Sequence, residues 1–191
     1  MQNTAINSTT ENALIFPQTP EGDEEKVNAI LENFEQHMGF IPDGLRLYSI
    51  SPPLLETFAG NVGYFNMGGT QLPPSLTTMI RYQTSWNASC SYCVDLNETF
   101  LTNMGFSLDS IRASRNNPDA APLNENEIAL LKLAIKSIEA PEDVAKIDLD
   151  QVRQLGWGDR EIFDAVAQAA NNRAFNYILR TFNIEHQGAF G

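Results

Sequence analysis

Apolar residues recur along this chain at intervals of three and four, and no stretch alternates convincingly at period two. From Asp23, the positions Val27, Ile30, Leu31, Phe34 and Met38 share one helical face, with acids in the first turn and Gly39 placed to end the element. Ile41-Pro42-Asp43-Gly44 then reads as a turn. Ser51-Pro52-Pro53 opens a second helix with the stripe Leu54, Leu55, Phe58, Val62 and Phe65, which Gly68-Gly69 ends. Pro73-Pro74 opens a third, running toward two cysteines at the mouth of a fourth that Gly105 closes. Ser107 caps a short helix through Arg115, and Asn124 with Glu127 has capping-box spacing ahead of Ile128, Leu131, Ile135 and Ile138. Asp148 is placed to cap a short helix ending near Leu155-Gly156. Asp159 is placed to cap a long one with Ile162, Val166, Ala169 or Ala170, Ala174, Tyr177 and Ile178 on its stripe. The pattern predicts an all-α fold of about eight helices.

Length and composition change that picture only by bounding it. The 191 residues, 42% hydrophobic, suffice for one core, so we expect a polar arm over residues 1–20, rich in Asn and Thr and closed by Pro17-Gln18-Thr19-Pro20, and a single helical domain over 21–191. The last long helix carries Phe175, Tyr177, Leu179 and Phe182 on more than one side, which predicts a homo-oligomer with a helical interface. Twelve basic against twenty-four acidic residues leave a formal charge of −12, which repels nucleic acid and anionic membrane surfaces. The N-terminus shows no basic or apolar leader pattern and no apolar span is long enough to cross a bilayer, so a cytoplasmic protein is expected.

The chemistry is concentrated in Trp86-Asn87-Ala88-Ser89-Cys90-Ser91-Tyr92-Cys93. Two cysteines at this spacing can close a disulfide on themselves, and a helix N-terminus favours a thiolate. Alternatively, both are small buried hydrophobes. No basic residue lies between Asn87 and Thr102, so the helix end is the one activator in view and predicts a Cys93 pKa lowered only modestly. Asp95 and Glu98 read as first-turn acids of the cysteine helix, Trp86 as core, and Tyr92 as packing. With two cysteines and two distant histidines, His37 and His186, neither a closed metal site nor a cofactor is expected.

Over roughly Asp23 to Glu185 the sequence resembles the AhpD-like branch of the carboxymuconolactone decarboxylase family. The resemblance rests on Gly39-Phe40-Ile41-Pro42-Asp43, Ser51-Pro52-Pro53-Leu54-Leu55, Asn87-Ala88-Ser89-Cys90-Ser91-Tyr92-Cys93, Leu155-Gly156-Trp157-Gly158-Asp159-Arg160-Glu161-Ile162 and Ala169-Ala170-Asn171-Asn172-Arg173-Ala174-Phe175-Asn176. It implies an all-helical oligomer that reduces hydroperoxides, with Cys93 as the attacking thiolate, Cys90 as the resolving thiol and a dithiol protein as reductant. The same pattern places a relay Glu twelve residues before the first Cys and a relay His four after the second. Here those positions hold Thr78 and Asn97. A carboxamide cannot accept the thiol proton, so Asn97 reads either as a hydrogen-bond donor to thiolate or bound oxygen, or as a plain polar replacement. The expected activity is a slow thiol-dependent hydroperoxide reductase or disulfide oxidoreductase acting on a peroxide or disulfide. The alternative is a redox-sensing or non-catalytic oligomer; lactone decarboxylation finds no evident acid or base here.

Overall fold

The computed structural model describes residues 13–184; the first part of the polar arm, Glu185 and His186 lie outside them. The described residues form nine α-helices and no strand. In order they are α1 (Glu24–Met38), α2 (Asp43–Tyr48), α3 (Pro52–Asn66), α4 (Pro74–Asn87), α5 (Ser91–Asn103), α6 (Leu108–Ala113), α7 (Glu125–Glu139), α8 (Lys146–Gln154) and α9 (Asp159–Thr181), with 3₁₀ turns at Pro118–Ala120 and Pro141–Asp143. The all-α architecture read from periodicity holds, with one helix more than expected.

The extra helix is α2, on the Pro42-Asp43-Gly44 stretch that reads as a turn. Gly44 is there for proximity: a Cβ on it would lie 2.5 Å from Phe175 Cζ, so the α2 backbone rests directly on α9. Two helix starts also differ from expectation. Asp148 is the third residue of α8, and its carboxylate accepts the Ala145 N–H at 2.8 Å. Asp159 is the first residue of α9, after the N-cap Gly158. Glu127 takes its expected place, accepting the Asn124 N–H at 3.0 Å.

Helix α4 is the axis of the molecule, packed against α5, α7 and α9. Its Leu76, Met79, Ile80 and Tyr82 are fully buried in the main core with Leu130, Leu131 and Ala134 of α7 and Ala165 and Ala169 of α9. Two expected stripes are rotated. Leu54 faces outward on α3, and Tyr177 is exposed on α9. What α9 buries instead is a polar ladder at four-residue spacing, Asp164, Gln168, Asn172 and Asn176. Buried polar groups must find partners. Asp164 accepts from Thr70 Oγ1 at 2.7 Å and Tyr64 Oη at 2.9 Å, which ties α9 to α3 and to the segment before α4.

A second, smaller cluster holds the cysteines. Cys90, Tyr92 and Cys93 pack with Leu47, Leu179 and Ile184, and Ala13 and Ile15 lie against them. Leu14 N–H donates to Phe182 O at 3.0 Å, so residues 13–15 run beside the end of α9. No helix of the described residues is long and apolar enough to cross a membrane.

Candidate functional site

The joint between α4 and α5 positions the two sulfurs. Ser89, between the two helices and just before Cys90, has φ 54, in the left-handed region that a side chain adopts at a cost of order 1 kcal/mol. That turn makes Cys90 the N-cap of α5 and Cys93 its third residue. The thiols are free, both buried, and their sulfurs are 2.9 Å apart, within hydrogen-bonding distance.

Their environments differ. Cys90 is held below the ordinary thiol range by its hydrogen bond with Cys93, which outweighs its own burial; the Cys93 N–H, the Asn176 amide and the Arg180 charge act in the same direction. Cys93 is pushed well up by the hydrogen bond with Cys90, by burial and by the Cys90 charge. The two thus titrate as one unit whose first proton comes off easily and whose second does not. The expected modest lowering at Cys93 is replaced by a lowering at Cys90. A basic residue also bears on the pair from outside the 87–102 window: Arg180, whose Nη1 donates to Ala88 O at 2.8 Å.

Polar groups around the sulfurs come from α4 and α9. Asn172 Nδ2 donates to Ser85 Oγ at 3.0 Å and Asn176 Nδ2 to the same oxygen at 3.1 Å. Asn172 also donates to Arg81 O and to Asn176 Oδ1, both at 3.1 Å. Asn176 and Ser85 favour the Cys93 thiolate, and Asn176 the Cys90 thiolate. Sequence reading assigned roles to none of Ser85, Asn172 and Asn176; the signal present was two carboxamides one turn apart on a helix.

Cys93 lines a cavity of about 490 Å³ between α1, α3, α5 and α9. Its walls are mainly apolar, with Phe58 and Phe175 stacked at 4.8 Å between centroids and Tyr48 on Phe58 at 4.6 Å. Asn97 and Phe100 of α5, and Met104 just after it, reach the same space. His37 also borders it, although it is distant in sequence; its Nδ1 lies 2.7 Å from Asn33 O.

Thr78 and Asn97 meet here, joined by a residue that sequence reading passed over. Arg81 Nε donates to Asn97 Oδ1 at 3.0 Å, Nη2 to Thr78 Oγ1 at 2.9 Å and Nη1 to Asn66 Oδ1 at 3.3 Å. Asn97 Nδ2 is turned the other way, donating to Cys93 O at 2.7 Å. One of the two Asn97 N–H donors is therefore used on the Cys93 backbone, and its oxygen receives a guanidinium. The group they form is a hydroxyl, a carboxamide and a cation.

Glu98 and Asp95 lie beyond the first turn of α5, which starts at Ser91. Glu98 is buried instead in an ion cluster with Arg112, Arg115 and Tyr82. Arg115 also stacks 4.3 Å over Trp86, which is half-buried at the edge of the core and donates to Asn116 Oδ1. Tyr92 is buried as packing, its hydroxyl set against the backbone of Asp43 and Gly44. Burial also lifts Asp43 to about 6, against the Arg46 charge. No group of three or more His, Cys, Asp or Glu side chains able to hold a metal occurs among the described residues.

No family model matches the sequence, and no curated protein matches it. Solved structures do. An uncharacterized peroxidase-related protein from Silicibacter sp. TM1040 superposes with a TM-score of 0.84 at 18% identity, over 94% of each chain. An uncharacterized peroxidase-related protein from Ralstonia eutropha JMP134, described as an alkylhydroperoxidase AhpD core, gives 0.78 at 20% identity over 87% of each chain. The debrominase Bmp8 gives 0.74 at 20% identity, over 93% of this chain and 94% of its own. With nine helices in this order and a cysteine pair at the start of α5, the chain has the all-helical AhpD-like fold.

Proposed function

We propose that the chain is a thiol-dependent hydroperoxide reductase whose two cysteines supply both nucleophile and base. The observation that carries this reading is the 2.9 Å contact between a depressed Cys90 and a Cys93 that alone of the two lines the cavity. Cys93 passes its proton to the Cys90 thiolate, and its own thiolate attacks the terminal oxygen of ROOH. The O–O bond breaks, giving a Cys93 sulfenic acid and RO⁻, which takes the proton from Cys90 to leave as ROH. Cys90 thiolate then attacks the Cys93 sulfur, forming the disulfide and expelling hydroxide. An external dithiol protein returns the pair to thiols by exchange. The exposed Leu54, Met67, Met104, Phe163 and Tyr177 support a homo-oligomer.

Intact mass after one equivalent of peroxide tests the chemistry. A loss of about 2 Da that is absent in Cys90→Ser is expected, and the same sample under native conditions reads the subunit number. Unchanged mass with peroxide left unconsumed would remove the reading. A second reading is favoured by the aromatic walls and by the debrominase likeness, a variant of that protein having been solved with 2,3,4-tribromopyrrole. In it the pair reduces an aryl bromide, R–Br plus two thiols giving R–H, the disulfide and HBr. Bromide release from a bromopyrrole would separate the two.

A further inference from the structure

Arg81 is an anomaly in a protein of net charge −12. It lines the cavity beside Cys93 and Asn97, yet no carboxylate among the described residues pairs with it. The guanidinium contacts are all to neutral oxygens: a hydroxyl and two carboxamides from α3, α4 and α5. Removal from water without a counter-charge is costly for a guanidinium, and burial alone pulls this one down to about 10. A cation held this way in an apolar chamber is a half-built ion pair.

The fork has capacity left. A guanidinium carries five N–H groups, and the neutral oxygens take one on each nitrogen, so one N–H on Nη1 and one on Nη2 remain. Two parallel donors suit the two oxygens of a carboxylate, and the three bonds already made hold the plane of the fork in place. Around it, Phe58, Phe100, Met104 and Phe175 supply surface for a hydrocarbon body.

We propose that Arg81 receives the carboxylate of an apolar organic acid whose reacting group then lies at Cys93. Under the peroxidase reading, on which the reacting group rests, the substrate class is a carboxylate-bearing organic hydroperoxide. Arg81 stands where the relay is missing but acts differently, orienting and neutralising the substrate while the proton is handled between the two sulfurs.

The test compares linoleic acid hydroperoxide with its methyl ester on the wild-type protein, and follows sodium decanoate binding by calorimetry. The acid should exceed the ester in kcat/KM by about tenfold or more, and decanoate should bind where decanol does so at least about tenfold more weakly. In Arg81→Gln the acid-to-ester ratio should fall toward one, and in Arg81→Lys it should be partly kept. Equal rates for acid and ester together with no preference for decanoate over decanol overturn the proposal, including the case in which a second copy covers Arg81 with its own carboxylate. If no hydroperoxide is turned over but decanoate binds and Arg81→Gln loses it, the anion site stands and the peroxidase reading fails. Both comparisons on wild type are independent of how the variants fold.

Discussion

Replacing Cys93 with serine is expected to lower single-turnover peroxide consumption by about four decades or more, since the nucleophile itself is lost. Cys90→Ser should lose less, about two to four decades, the range for removal of a positioned base. The two variants differ in kind as well as in size. In the wild-type protein the pH dependence follows the first proton of the pair, which the hydrogen bond between the sulfurs, Asn176 and Arg180 bring below the usual thiol range. Without Cys90 the remaining thiol is buried and has no partner to take its proton, so the inflection moves to higher pH. Cys90→Ser should also stop at the sulfenic acid, which a dimedone adduct reads by mass. An unchanged rate and pH profile in Cys90→Ser would eliminate the internal base, and an unchanged rate in Cys93→Ser would reverse the assignment of the two sulfurs.

The second large effect is on stability and lies away from the thiols. Glu98, 5% exposed, accepts from Tyr82 Oη at 2.8 Å, Arg115 Nη2 at 2.6 Å and Arg112 Nη2 at 2.9 Å, joining α4, α5, α6 and the segment after it. Burial raises its pKa, but Arg112, Tyr82 and Arg115 together outweigh that and hold it below the ordinary glutamate range. Glu98→Ala takes the acceptor from the buried Tyr82 hydroxyl and the counter-charge from the partly buried Arg115, which keep only their bond to each other, and should cost about 3 kcal/mol at pH 7, the lower end for a broken buried pair because Arg112 is half exposed and can rehydrate. A depressed carboxylate gives stability that is present above its unfolded pKa and lost as pH falls through the folded one. Urea unfolding of the wild type should therefore weaken below about pH 4.5, with a smaller acid-dependent loss in Glu98→Ala. A difference under about 1 kcal/mol at pH 7 would show that the cluster contributes no more than a surface pair.

Much of the architecture was legible because long helices with prolines, caps and glycines at their ends carry their own punctuation. Helix α2 was not, since Pro42-Asp43-Gly44 has the chemistry of a turn and only the arrival of Phe175 explains the glycine. The sulfur pair was legible at the start of α5. Arg81 was not: its meaning lies in Asn66, Thr78 and Asn97 on three helices, and a single arginine in a helix reads as solvated surface. The ladder from Asp164 to Asn176 was hidden differently, because a period of four drifts slowly around a helix and polar residues at that spacing look like an outer face. Packing of α9 against α4 turns that face inward, and the amides then become partners for Ser85 and the sulfurs.

A guanidinium with no carboxylate partner among the described residues, in so acidic a molecule, makes ionic strength act with opposite signs at two ranges. At a distance, an organic anion meets the field of a net −12 chain and is repelled, and dissolved salt screens that repulsion within about a Debye length of 8–10 Å. Inside the cavity the contact with Arg81 is shielded from the same ions. Arrival of decanoate, followed by stopped flow, should then accelerate as salt is added while its residence time changes little. Arrival that slows with salt would mean that a local positive field, and not the acidic whole, governs entry.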